Sequence, residues 1–149
     1  MNVCITPAKG WSDMLALAAL HIAAHQEAHG EYHRTIEEVA RIWQSTPGIS
    51  PSIARGPNGE GVGFIAQKSL LDDEIFITDM FIRPEFRNMG IGKNLLRQAL
   101  TKKFGSLMVW DGNKPAIALY QKMGFAPIGA SIRDEHGRMM IHMKWTRNP

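Results

Sequence analysis

A glycine-punctuated turn at residues 87–92, with the sequence Arg-Asn-Met-Gly-Ile-Gly, is the clearest chemical pattern in this chain. It lies between a β-branched apolar segment and a segment whose apolar residues recur at helical spacing. A turn that leads into a helix presents unpaired backbone N–H groups and the positive end of the helix dipole, and both attract phosphate or pyrophosphate. Helix capping or close packing explains Gly90 and Gly92 equally well. The pattern matches neither a P-loop nor a dinucleotide fingerprint.

A second motif, at residues 113–125, lies on the next predicted helix and resembles the GNAT family of N-acetyltransferases. The family pattern Asn-x-x-Ala-x-x-Leu-Tyr-x-x-x-Gly-Phe is met at every position from Asn113 to Phe125. The turn pattern of the same family, Arg/Gln-x-x-Gly-x-Gly/Ala, is met by Arg87, Gly90 and Gly92, and its strand pattern by Met80, Ile82 and Pro84. The resemblance covers residues 74–133.

This resemblance implies acetyl-CoA as the cofactor and transfer of its acetyl group to an amine. Backbone groups of β-strand residues Met80, Phe81 and Ile82 would align the pantetheine arm and the thioester carbonyl, and Asn113 would bind the cofactor nearby. The pyrophosphate would be held at the turn by Arg87 and by the backbone of Asn88, Met89, Gly90, Ile91, Gly92 and Lys93. The family fold would be α/β, with a mixed, mostly antiparallel central sheet flanked by helices.

Tyr120 would protonate the departing thiolate, which is the role that the resemblance implies for it. Fixed backbone donors can stabilise the negative charge that develops on a thioester carbonyl during attack. A phenol with a pKa near 10 can share a proton with a thiolate whose conjugate acid has a pKa near 8.5. Tyr120 also lies one helical turn from Ala116 and Met123, so a core aromatic is the alternative interpretation.

The acceptor amine must lose a proton, and Asp79, Asp111 and Glu74 are candidate bases. Asp79 interrupts an otherwise apolar strand, which predicts either a catalytic role or a structural hydrogen bond. Family members that acetylate the N-terminus of ribosomal proteins typically carry Glu where this sequence has Met108. Met cannot accept a proton, which argues against that substrate.

A stripe of histidines, His21, His25, His29 and His33, is spaced by four residues at the end of the first predicted helix. Two histidines at this spacing can chelate zinc, but Gly30 interrupts the helix and no cysteine completes the ligand set, so no metal is predicted. The stripe can instead line the acceptor cleft, a wall that this family usually builds from its first two helices, or form a solvated face.

The elements that must position these residues follow from periodicity and turn residues. We predict strands over 2–7, 52–55, 61–69, 74–82 and 107–110, and a final hairpin over 126–133 and 138–145. Helices are predicted from a cap at Ser12 to 29, then over 35–43, 90–104 and 115–123. Hairpins mixed with crossovers predict α/β layers around a mixed sheet in one domain of residues 1–149.

Composition limits the remaining function classes. The 149 residues carry a formal net charge of +3 with scattered Lys and Arg, so nucleic-acid binding is not favoured. No apolar run is long enough for a membrane span, no signal peptide is evident and Cys4 is the only cysteine, which together favour a cytoplasmic protein. The preferred function is acetylation of a small-molecule amine by direct attack, with a peptide amine or a non-catalytic acyl-CoA-binding module as alternatives and a homodimer possible.

Overall fold

A single mixed sheet forms the centre of the molecule in a computed structural model that describes residues 2–148. Its strands run in the order β1-β2-β3-β4-β5-β8-β6, and β7 pairs with β8 at one edge. Neighbouring strands are antiparallel except β4 and β5, which are parallel, so the predicted mostly antiparallel sheet is confirmed. The strands are β1 (Cys4–Pro7), β2 (Ser50–Arg55), β3 (Gly61–Leu70), β4 (Glu74–Ile82), β5 (Phe104–Trp110), β6 (Ala126–Pro127), β7 (Ile132–Arg133) and β8 (Met139–Thr146).

Four helices cover the two faces of this sheet: α1 (Gly10–His29), α2 (Ile36–Ser45), α3 (Ile91–Ala99) and α4 (Lys114–Lys122). The adjacent residues Phe64 and Ile65 of β3 point to opposite faces and belong to separate core clusters. Phe64 packs in the cluster that includes Leu17 of α1 and Val39 of α2. Ile65 packs in the cluster built around α3 and α4. The sheet therefore separates a layer formed by α1 and α2 from a layer formed by α3 and α4.

Several predicted boundaries are wrong, each for a local reason. Helix α3 ends at Ala99 instead of continuing to residue 104, because Leu100 leaves the helical conformation and turns its side chain into the core. Gly105 belongs to β5, and a Cβ there would stand 2.5 Å from Leu100 Cδ2, so this glycine permits a close approach rather than ending a helix. Helix α1 begins before Ser12, with Lys9 as its N-cap.

The predicted capping box of α2 is confirmed, and the predicted single strand over 126–133 is wrong. Thr35 caps α2 with the predicted capping box, because its side chain accepts from the Glu38 amide while Glu38 reaches back to the Thr35 amide. The predicted strand over 126–133 is instead split into β6 and β7, with Gly129 at a φ of +69° between them. Strand β2 also starts earlier than predicted, at Ser50.

A β-bulge in β4 sets the geometry of the molecule's centre. Ala66 of β3 pairs with Asp79 and Gln67 pairs with Ile77, which leaves Thr78 as the extra residue. The bulge shifts the alternation of side chains, so that Ile77 and then Met80 pack toward α3. Pairing between β4 and β5 reaches only as far as Ile77 and Leu107. Beyond that pair the parallel strands are no longer joined, and a cleft opens between them.

Candidate active site

The cleft between the unpaired ends of β4 and β5 contains a cavity of about 380 Å³. One wall is the β4 segment 77–81 and the other is the β5 segment 107–110. Helix α1 covers it with His21, His25 and His29, while Asn113 and Tyr120 approach from the opposite layer. The cavity therefore brings together Asp79, Tyr120 and Asn113, which the sequence placed in one site, with three of the four striped histidines.

The glycine turn at the start of α3 presents a row of unused backbone donors. Among residues 2–148, the amides from Asn88 to Lys93 have no hydrogen-bond partner, and the first amide bonded into the helix is that of Asn94, to the Gly90 carbonyl at 3.1 Å. Asn88 and Gly90 both adopt left-handed backbone conformations, with φ of 63° and 83°. Such a row of N–H groups at a helix N-terminus fits a pyrophosphate. The turn therefore presents the row of free donors that the sequence predicted.

The two glycines of the turn differ in what requires them. A Cβ on Gly90 would meet only open space, so the left-handed φ of this residue is the reason for glycine there. Gly92 has an ordinary φ, but a Cβ there would stand 3.0 Å from Leu119 Cδ2 of α4. Gly92 therefore permits α3 and α4 to pack closely, so the packing interpretation applies to this glycine.

Arg87 braces the turn instead of extending freely into solvent. Its Nε donates to the Ile82 carbonyl at 2.9 Å, and its Nη2 contacts both carboxylate oxygens of Glu27 at 2.7 and 2.9 Å. These contacts tie the turn to the end of β4 and to α1. Lys93 lies in the first turn of α3 and is partly buried. Arg97 lies at a second cavity, beside Arg147 and Trp145.

The β4 residues predicted to align the acyl arm lie beyond the bulge. Met80 and Phe81 line the cavity, and they pair with Ile65 and Phe64 of β3 on the other side of the strand. Because β5 has diverged, the backbone edge of β4 that faces β5 is left without a partner strand here. Ile82 lies at the strand end, where its carbonyl accepts from Arg87.

Tyr120 lines the cavity from α4 with only 8% of its surface exposed. Burial raises the pKa of the Tyr120 phenol to about 12. The ring also packs against Phe125, with centroids 5.8 Å apart, so Tyr120 is both a core aromatic and a cavity residue. Asn113 caps α4 by accepting from the Ala116 amide at 3.3 Å through Oδ1, and it lines the same cavity.

Three imidazole rings line the cavity on the side of α1, and Tyr32 packs against two of them. His25 lies between His21 and His29, with ring centroids at 6.5 and 4.7 Å, and Tyr32 lies 4.8 Å from it. Burial lowers the pKa of His21, while the neighbouring Asp79 carboxylate acts in the opposite direction. His33 lies apart from this group, and its side chain is 85% exposed. The described residues contain no group of three or more potential ligands arranged to bind a metal ion.

The other two candidate bases lie elsewhere. Glu74 accepts a hydrogen bond from Ser106 and pairs with Lys144 at 3.3 Å, and these contacts, the Ser106 bond first, lower the pKa of its carboxyl. Asp111 follows β5 and is half-buried outside the cavity lining, with its amide bonded to the Met139 carbonyl. Of the three carboxylates, Asp79 is the one that lines the cavity.

Two contributions to the site were missed by sequence reasoning. Thr78 lines the cavity because of the bulge, and no residue pattern in β4 reveals a bulge. The turn before β8 reaches back to α1: the ring of His136 lies 4.3 Å from that of His29, and Arg138 donates to the Ala28 carbonyl at 2.6 Å. These contacts cross more than a hundred positions of sequence, and nothing local in either segment indicates them.

The cleft thus opens between the diverging parallel strands β4 and β5, and the buried Tyr120 lines it from α4. The profile of the Acetyltransferase (GNAT) family matches residues 14–125, and the chain belongs to this family. It is therefore an N-acetyltransferase that uses acetyl-CoA, as the resemblance implied.

Individual relatives agree with that assignment. The chain is 33% identical over 117 residues to a peptidyl-lysine N-acetyltransferase, YjaB, of Salmonella typhimurium, covering 78% of this chain and 76% of the relative. It is 34% identical to the streptothricin acetyltransferase of Streptomyces lavendulae over 84 residues, 52% of this chain and 44% of the relative. The fold matches that of the PaiA N-acetyltransferase of Thermoplasma acidophilum in complex with coenzyme A, with a TM-score of 0.71 at 18% identity over 99% and 100% of the two chains.

No helix in the described part of the chain combines the length and the apolar character needed to cross a lipid bilayer.

Proposed function

We propose that this acetyltransferase acts on a primary amine of a small molecule, which attacks the thioester directly within the cleft between β4 and β5. The observation that carries the proposal is the arrangement of one cavity with two different sides. The unused backbone donors from Asn88 to Lys93 lie on the turn that Arg87 ties to Glu27 at the edge of the cavity, and His21, His25 and His29 line the cavity from α1. Donor and acceptor can therefore enter from different directions and meet between the strands.

On the donor side, the chain supplies fixed backbone dipoles. The amides from Asn88 to Lys93 would bind the pyrophosphate, because each is free to donate and all lie near the positive end of α3. The unpaired edge of β4 at Met80 and Phe81 would orient the pantetheine arm and donate to the carbonyl oxygen as it gains negative charge. Arg87 would act indirectly, by holding the turn against Glu27 and Ile82.

Tyr120 would stabilise the leaving sulfur mainly as a hydrogen-bond donor. With a phenol pKa of about 12, complete transfer of the proton to a thiolate whose conjugate acid has a pKa near 8.5 is unfavourable by about 5 kcal/mol. The sequence-based interpretation assumed an ordinary phenol, for which the mismatch is smaller. The same raised pKa keeps Tyr120 protonated throughout the neutral range, so the donor is always present. The thiolate then takes its proton from solvent.

Among the described residues, the acceptor side of the cavity has one carboxylate that is not neutralised, which favours an acceptor that places a single ammonium group there. Two carboxylates line the cavity, Asp79 and Glu27, and Arg87 neutralises the second. Within residues 2–148, no cation lies within salt-bridge distance of Asp79. Asp79 is therefore the group that attracts the ammonium and orients it toward the bulge.

A lysine side chain in a peptide is the second candidate acceptor. It is favoured by the peptidyl-lysine relative, which the chain matches over three quarters of its length. The streptothricin relative, matched over less than half of its length, favours a small molecule instead. Met108 lines the cavity where ribosomal-protein acetyltransferases typically carry a Glu base, so an α-amine of that kind is disfavoured.

The test is a screen for thiol release from acetyl-CoA with free lysine, thialysine, streptothricin, spermidine and lysine-containing peptides. We expect acceptors with a single reactive primary amine on a flexible chain to react fastest, and small molecules to exceed peptides in kcat/KM. Faster thiol release with lysine-containing peptides would contradict a small-molecule acceptor and support a peptide lysine instead. Binding of acetyl-CoA without thiol release for any amine would favour a non-catalytic module and would contradict both.

A further inference from the structure

In the part of the chain that the structure describes, two buried side-chain polar atoms lack a hydrogen-bond partner, and both belong to residues that line the active-site cavity. They are Nδ1 of His25 and Oγ1 of Thr78, the only such side-chain atoms among residues 2–148. Buried polar atoms in native proteins are nearly always paired, and an exception needs an explanation. Both atoms belong to residues that line one cavity, which points to a polar ligand group bound there as the partner that would complete them.

The chemistry of the two atoms limits the group that can complete both. A neutral imidazole nitrogen accepts or donates one hydrogen bond, and a hydroxyl does both. An ammonium group has several N–H donors, so it can donate to His25 Nδ1, to Thr78 Oγ1 and to the nearby Asp79 carboxylate. Thr78 is the bulge residue of β4 and directly precedes Asp79, which places its hydroxyl where the strands diverge.

The geometry points to an acceptor-amine subsite in which Thr78 Oγ1 and His25 Nδ1 bind the amine and His25 takes its proton. This inference rests on the proposed function and adds the residues that hold and deprotonate the acceptor. The ammonium gives one proton to the His25 ring, and the free amine then forms the N–C bond while the C–S bond breaks. The second amine proton passes to water as the amide forms, and the thiolate takes a proton from water in turn.

His25 also lies on a route by which the proton can leave. Within α1 it faces His21 on the inner side and His29 on the outer side, and His29 is exposed. Tyr32 packs against the ring from the segment that follows α1. From the other elements, Asp79 of β4 lines the same cavity, and the His136 ring and Arg138 lie beside His29. His29 therefore lies between the His25 ring and solvent.

The test compares His25→Gln with the wild type, using acetyl-CoA and lysine amide as the acceptor, between pH 7 and 9.5. We expect kcat/KM to fall about 100-fold at pH 7, the range for loss of a general base. An alkylamine with a pKa near 10.4 is almost entirely protonated at pH 7, and the free fraction grows steeply toward pH 9.5. The deficit should therefore shrink as pH rises, while the Kd of acetyl-CoA by calorimetry stays unchanged.

Thr78 is tested by two variants. Valine keeps the β-branched shape of threonine without the hydroxyl, and serine keeps the hydroxyl. Thr78→Val should raise the KM for lysine amide about tenfold, because one hydrogen bond to a charged group is lost, and Thr78→Ser should restore it. His33→Gln is the matched histidine control and should change neither parameter, since that side chain is exposed outside the cavity. The subsite would be overturned if His25→Gln lowered kcat/KM by the same factor at all pH values or also weakened acetyl-CoA binding. It would also be overturned if Thr78→Ser failed to restore the KM for lysine amide.

A failure of the proposed function can be distinguished from a failure of the subsite. If the wild type acetylates no amine in the screen, the proposed function is wrong, and the subsite is then tested by binding alone. Histidine side-chain resonances of the coenzyme A-bound protein are followed while butylammonium chloride is added. The His25 resonance is identified as the one that is absent from the spectrum of His25→Gln. A shift of the His25 resonance on addition of butylammonium supports the subsite, and no shift overturns it.

Discussion

Replacing Tyr120 with Phe isolates the contribution of one hydroxyl to catalysis. The ring packs against Phe125 inside the core, so phenylalanine keeps the apolar contacts and removes only the phenol oxygen. We expect the Kd of acetyl-CoA to stay unchanged, because the pyrophosphate donors from Asn88 to Lys93 lie on a different element. The effect should therefore appear in kcat.

The magnitude follows from the pKa of the phenol. At about 12, the pKa is too high for full proton transfer to the leaving thiolate, so Tyr120 contributes a hydrogen bond to a charged sulfur. Such bonds contribute about 1.5–3 kcal/mol, which corresponds to a roughly 10- to 150-fold fall in kcat for Tyr120→Phe. The assay is thiol release at saturating acetyl-CoA with the best acceptor of the screen. Unchanged kcat would remove Tyr120 from the chemistry and refute this reasoning.

The same substitution also tests the raised pKa independently of activity. Below pH 10 the phenol is protonated in both the folded and the unfolded chain, and its contribution to stability is fully present. As pH rises from 10 toward 12, the unfolded chain loses its proton first, so the folded state loses up to about 3 kcal/mol of relative stability. At pH 11 the free energy of unfolding of wild type should have fallen by about 1 kcal/mol relative to Tyr120→Phe, compared with pH 8. If urea unfolding gave the same change in the free energy of unfolding between pH 8 and pH 11 for wild type and Tyr120→Phe, a buried phenol would be contradicted.

Three further perturbations test other parts of the site. Gly90→Asp should abolish acetyl-CoA binding in calorimetry, because a carboxylate enters the pyrophosphate site at a left-handed backbone position; retained affinity in the folded variant would exclude this turn. Glu27→Gln should lower the free energy of unfolding by at most about 1 kcal/mol, with the loss screened by high salt, since the pair with Arg87 is half-exposed. Ser106→Ala should destabilise the protein by about 1–3 kcal/mol at pH 7. Because the folded pKa of Glu74 is lowered, the difference in the free energy of unfolding should shrink as pH falls below the ordinary Glu value and through that lowered pKa. A difference that stays constant with pH in urea unfolding would contradict this.

The donor half of the site could be predicted from sequence because its chemistry is local. The turn amides, the cap residue Asn113 and Tyr120 are positioned by two helix starts and one helical spacing, and each of these leaves a residue pattern. The limits of β4 were predicted correctly for the same reason, since a segment rich in β-branched and apolar residues lies between an acidic turn and Pro84.

The acceptor half could not be predicted because it depends on long-range register. The bulge at Thr78 is set by how β4 pairs with β3, and it determines which face of the sheet Asp79 joins. The end of α3 was missed for a related reason. Leu100 continues the helical spacing in sequence, but its side chain leaves the helix to fill the core beside Gly105. The stripe of histidines was visible, yet only the packing of α1 over the cleft separates the cavity-lining members from His33.

The central claim is that acetyl-CoA binds along the unpaired edge of β4 with its pyrophosphate at the start of α3. Backbone amide chemical shifts of the uniformly labelled chain, followed while acetyl-CoA is added, test this claim most directly. We predict that the largest changes belong to the unpaired amides from Asn88 to Lys93 and to Met80 and Phe81, which line the cleft. Largest changes in other segments, or none at saturating acetyl-CoA, would contradict the account.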